Sequence, residues 1–178
     1  MTLITDVHTH RRAPAPGRIV NIDPSGPFAP LLPCQTYSAG IHPWLADRAD
    51  MFGEVERLAA CRAVVAIGET GLDKRRGPSL DIQIPLFRRH IELAEAVGKP
   101  LIVHCVGAWQ ELLALPRPRV MTIIHGFRGK PELARQLTAA GFFLSLGAHY
   151  NPASERFALF RESDMSDLSD LSDESDFS

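Results

Sequence analysis

The chain has 178 residues, 45% of them hydrophobic, and a formal charge of −2. That is enough for one domain with a sizeable core, and the hydrophobic share is ordinary for a globular protein. Three scattered cysteines with no Cys-x-x-Cys pair argue against a disulfide framework; with no N-terminal signal and no apolar run of transmembrane length, a soluble cytoplasmic protein with no membrane role is expected.

Leu3-Ile4-Thr5 is apolar or β-branched and reads as a buried strand leading into Asp6-Val7-His8-Thr9-His10. Side chains two apart on a strand share a face, so His8 and His10 converge. A Pro-rich loop precedes a short strand at Arg18–Ile22, and four prolines in 23–35 forbid a helix there. A third strand is expected over Thr36–Ile41, ending at His42-Pro43-Trp44, then a helix over Asp47–Ala60 and a doubly buried strand over Ala63–Ile67. The longest helix is expected over Leu80–Val97, with Pro85 near its first turn and Gly98 at its stop. Further strands read at 101–103, 120–124, 142–146 and 157–160, with helices at 108–115 and 131–140.

Apolar strands alternating with helices mean parallel pairing, and eight strands suggest a (β/α)8 TIM-type barrel. The fold class expected is therefore α/β, a short barrel with helix-free first crossovers and no terminal helix. Residues 1–162 form the barrel domain. Residues 163–178 form an acidic Ser-Asp low-complexity tail whose composition fits disorder. Residues 162–178 hold seven acids and no base, which leaves the body at +5. A mildly basic body permits an anionic substrate.

Function in such barrels sits at the C-terminal ends of the strands. Glu69, His104 and His125 each follow an apolar run, in the same register as His8 and His10. Four imidazoles and a carboxylate able to bridge can hold two divalent ions. A sixth ligand is expected from the last strand, where Glu162-Ser163-Asp164 makes Asp164 the candidate.

These segments together resemble the TatD family of metal-dependent deoxyribonucleases, within the amidohydrolase-like barrels. The matching runs are Asp-Val-His-Thr-His (6–10), Gly-Ile-His-Pro (40–43), Gly-Glu-Thr-Gly-Leu-Asp (68–73), Val-His-Cys (103–105), Ile-His-Gly-Phe-Arg-Gly (124–129) and Glu-Ser-Asp (162–164). The resemblance implies that His8, His10 and Asp164 hold one metal and His104 and His125 the second, with Glu69 bridging. It also implies that His42 contacts a scissile phosphate and that Asp164 helps activate water. Ser163 stands where the family has Thr, and Arg161 where it has an apolar residue.

Two metals lower the pKa of a water and clamp both oxygens of an in-line displacement. Lys74, Arg75 and Arg76, with Arg128 and Lys130, supply positive charge near the mouth, and Trp44 can stack on a base. The expected partner is a nucleic acid, DNA first, with Mg²⁺, Mn²⁺ or Zn²⁺ as cofactor; an oligomer is allowed. Two other readings stand beside the nuclease. One is a barrel hydrolase of another bond, such as an aminoacyl-tRNA ester; Glu69 in the bridge, where ester-cleaving barrels often use a modified lysine, argues for the nuclease. The other is a truncated, non-enzymatic metal-binding copy.

Overall fold

Alternation along the strands builds a barrel with two cores. In the strand Leu101–Val106, Leu101, Val103 and Cys105 pack outward in a large apolar layer, whereas Ile102 joins Ile19 and Ala66 in a small second cluster. The outward set meets the helices and the inward set fills the barrel. The computed structural model describes residues 6–9, 17–24, 31–147 and 149–161.

The strands are β1 (Asp6–Thr9), β2 (Arg18–Ile22), β3 (Thr36–Ala39), β4 (Val64–Asp73), β5 (Leu101–Val106), β6 (Thr122–Ile124), β7 (Phe143–Leu146) and β8 (Ala158–Arg161). They form one eight-stranded sheet in sequence order, every neighbouring pair parallel. The sheet curls until β1 comes against β8. This is the expected TIM-type α/β architecture. The parallel order puts the C-terminal ends of all the strands on one rim.

Among the described residues, four α-helices, α1 (Phe52–Ala59), α2 (Leu80–Val97), α3 (Trp109–Ala114) and α4 (Pro131–Ala139), link the middle strands. The segment read as one helix over Asp47–Ala60 is instead a kinked 3-10 stretch, Pro43–Met51, followed by α1. Its non-helical Leu45 and Arg48 break the run, and only Pro43 and Ala46 are buried along it. A second 3-10 helix, Pro152–Phe157, leads into β8. The bounds of α2 are those expected, although Pro85 falls in its second turn on the exposed face, where water can take the place of the lost bond. The described parts of the β2–β3 crossover carry no helix; residues 10–16, 25–30 and 162–178, which bear on the other crossover expectations and on the tail, lie outside the described residues. Among the described residues, no helix is long and apolar enough to cross a membrane.

Candidate metal centre

The site is built on an irregularity in β4. Ile67 pairs with Leu101 and Thr70 with Val103, so β4 carries one residue more than β5 between these two rungs. Ile67 packs outward in the helix-facing core, and strict alternation would point Glu69 the same way. The extra residue resets the alternation and brings Glu69 inward. Glycines make this approach feasible. A Cβ on Gly68 would lie 2.3 Å from the Ile102 carbonyl oxygen, and one on Gly71 would lie 2.0 Å from that of His104. The apolar pattern predicts a strand ending at Ile67 with Glu69 beyond it; the strand runs on to Asp73, with Glu69 in its middle. From β2, Asn21 Oδ1 accepts the Glu69 N–H at 2.8 Å.

Among the described residues, four imidazoles converge on the buried Glu69 carboxylate. His8 Nε2 lies 3.0 Å from Oε2. On Oε1 converge His125 Nε2 at 2.5 Å, His104 Nδ1 at 3.0 Å and His42 Nε2 at 3.2 Å. The rings of His8 and His125 lie 4.3 Å apart, and those of His42 and His104 4.5 Å apart. Burial works against the charge on Glu69, but His125 and His8, with hydrogen bonds from His104 and His125, outweigh it. Its carboxyl is held well below the usual range. Burial also disfavours charge on His104, yet its bonds to Asp73 and Glu69 raise it overall; burial dominates at His42 and lowers it. The Trp44 N–H donates to His42 Nδ1 at 3.2 Å. A neutral His42 therefore carries its proton on Nε2, facing Glu69.

Asp73, which the sequence marks only as the end of the 68–73 run, organises the outer side of the cluster. Its Oδ2 accepts from Trp44 Nε1 at 2.6 Å and from His104 Nε2 at 3.0 Å. Its Oδ1 accepts the backbone N–H groups of Arg75 and Arg76 at 2.7 and 3.1 Å. Burial opposes its charge, but bonds from His104, Trp44 and Arg75 bring the carboxyl down to about 2. The available signal was the continuation Thr70-Gly71-Leu72-Asp73, which extends the strand and places a carboxylate at its end. His90 is buried on α2, where its Nε2 accepts the Ile41 N–H at 3.0 Å and Nδ1–H donates to the Leu86 carbonyl at 2.9 Å. It anchors the residue before His42.

Of the remaining candidates, His10 and Asp164 lie outside the described residues. Trp44 is partly buried, edge-on to His42, with the Arg76 guanidinium 5.0 Å from its ring. Lys74 is exposed and pairs with Glu111 at 2.7 Å. Arg75 and Arg128 are exposed beyond Asp73 and His125.

The donor set fits a divalent ion. Around a centre with bonds of about 2.1 Å, neighbouring ligand atoms sit about 3.0–3.4 Å apart. His8 and His104 keep this spacing from Glu69, 3.0 Å each, while His125 stands closer, at 2.5 Å, as a hydrogen-bonded pair that an ion would part. Two groups, His8/Glu69/His125 and His42/Glu69/His104, each keep their ligand atoms within 4.8 Å of one another. Both share Glu69, whose two oxygens face different imidazoles.

A family model described as TatD related DNase matches residues 33–168. An uncharacterized metal-dependent hydrolase, YcfH of Escherichia coli K12, is 35% identical over 114 residues, covering 61% of this chain and 43% of its own. A 3'-5' ssDNA/RNA exonuclease TatD of Erwinia billingiae is 36% identical over 117 residues, covering 62% of this chain and 44% of its own. A solved TatD-family hydrolase from Entamoeba histolytica shares the fold at a TM-score of 0.58 and 24% identity, covering 63% of this chain and 41% of its own. The chain thus spans less than half the length of the curated relatives it matches. With the match across 33–168 added to the Glu69-centred cluster, the chain belongs to the TatD related DNase family.

Proposed function

We propose that this protein is a metal-dependent hydrolase that cleaves phosphodiester bonds of a nucleic acid strand, DNA first. The observation that carries the reading is the division of Glu69: Oε2 faces His8, and Oε1 faces His125, His104 and His42. A buried carboxylate with imidazoles on both oxygens suits two divalent ions, Mg²⁺, Mn²⁺ or Zn²⁺. Such ions supply Lewis acidity and a water of lowered pKa. In this reading His8, His10 and Asp164 would hold one ion and His104 and His125 the other, with Glu69 serving as a ligand to both.

The protein's own groups then position the substrate. His42, neutral with its proton on Nε2, donates a hydrogen bond to a substrate phosphate oxygen. Asp164 accepts a proton from the attacking water. Lys74, Arg75 and Arg128 neutralise phosphate charge around the rim. Trp44 and Arg76 offer a base a combined aromatic and cationic surface. The relative named a ssDNA/RNA exonuclease supports a single strand as substrate. Residues 1–162 act as the barrel of the hydrolase, Asp164 just beyond it completes the site, and the rest of 163–178 is an appended acidic tail.

The test is cleavage of labelled single-stranded DNA and RNA by chelator-treated protein after return of Mg²⁺, Mn²⁺ or Zn²⁺. Cleavage should return with metal and be absent in Glu69→Ala. Asp164→Asn should cost about 10²–10⁴-fold, while Asp167→Asn costs little. Turnover of a carboxyl ester with no strand cleavage under any metal would overturn the reading.

A further inference from the structure

His104 faces a carboxylate on each ring nitrogen, Glu69 on Nδ1 and Asp73 on Nε2, both at 3.0 Å. A neutral imidazole there has two tautomers, and only one leaves a lone pair on the Glu69 side. Asp73 decides between them. Its other contacts are all donors: the Trp44 indole N–H, and the Arg75 and Arg76 backbone N–H groups. The carboxylate is thus held as an acceptor, and the proton between it and His104 belongs to the ring.

The carboxylate is also held in place from outside the cluster. Gln83 on α2 accepts the Asp73 N–H at 2.7 Å and returns a bond to the Asp73 carbonyl at 2.8 Å. The adjacent Trp44 treats the neighbouring ring in the opposite sense. Its backbone N–H occupies Nδ1 of His42 and leaves the proton on Nε2, which lies 3.3 Å from His104 Nδ1. That close approach of two nitrogens is then a donor facing an acceptor, not two lone pairs in collision.

We propose that Asp73 is a positioning residue: it keeps the His104 proton on Nε2, turns the Nδ1 lone pair toward Glu69, and so sets the affinity of the metal position that His104 serves. His104 then binds through Nδ1, whereas His8 and His125 present Nε2 to Glu69. Outer partners of this kind are commonly worth about 10–100-fold in metal affinity. The inference rests on the metal-centre reading given above.

The 178-residue chain labelled with ¹⁵N-histidine is followed by long-range ¹H–¹⁵N correlation before and after Zn²⁺, with Zn²⁺ affinity measured by calorimetry; His104→Gln assigns the signals. In the Zn²⁺-loaded parent, His104 should keep its proton on Nε2 and lack one on Nδ1. Asp73→Asn should weaken one Zn²⁺ position by about 10–100-fold and spare the other, while Asp73→Glu recovers part of the loss. A proton found on Nδ1 in the loaded parent, or equal Zn²⁺ binding by Asp73→Asn, overturns the proposal. If Asp73→Asn does not fold, the tautomer in the parent decides alone. Zn²⁺ binding by the parent together with unchanged affinity in the variant sinks this inference and leaves the metal centre standing. No Zn²⁺ binding by the parent sinks both.

Discussion

His90 makes no contact with the metal cluster, yet its proton bears on stability. Burial lowers its pKa from 6.5 to about 4. The folded state therefore binds this proton more weakly than the unfolded chain, and stability falls as pH drops from 6.5 toward about 4. The full effect is about 3 kcal/mol. His42 shifts in the same direction, whereas His104, which is raised, acts in a window above 6.5. Asp73 acts lower still: its share is lost as pH falls from 3.8 to about 2. Urea unfolding of the parent and of His90→Gln at pH 6.5 and 4.5 isolates the His90 part; the parent should show the steeper loss, and identical slopes would refute the assignment. At this scale the convergence of His8, His104 and His125 was legible because each follows an apolar run in one register. Asp73 and His90 were not, because their partners come from Trp44, Gln83 and Ile41, far away along the chain.

Among the elements, α2 and the middle strands were legible because their burial is continuous or periodic. The extension of β4 was missed because Gly68, Glu69 and Gly71 break an apolar pattern where the backbone itself continues. A bulge leaves no mark on composition; it exists only in the register against β5. The outer faces of the last two strands differ in a way that can be measured. Leu144 on β7 is fully buried, while Leu159 on β8 is 56% exposed. Leu144→Ala should cost about 2–5 kcal/mol, and Leu159→Ser no more than about 0.5 kcal/mol. Urea midpoints for both variants check this; equal losses would mean that β8 is covered in solution.

Across the whole molecule, the described donors around Glu69 come from β1, from the loop after β3, from β5 and from the end of β6. An ion bound there ties together segments that separate on unfolding, so it stabilises by mass action. At a free concentration of 100 times Kd the gain is about 2.7 kcal/mol, or roughly 5–10 °C in Tm for a chain of this size. Thermal melts with chelator and with excess Zn²⁺ should differ by that amount in the parent and not at all in Glu69→Ala. The strictly sequential strand order has a further consequence during synthesis. A ribosome delivers the chain from its N-terminus, so the sheet can grow one strand at a time, always with a fresh open edge. His8 and Glu69 emerge early, but His125 follows β6. A nascent chain halted before β6 should therefore fail to retain the ion, and metal capture becomes a marker of how far translation has gone.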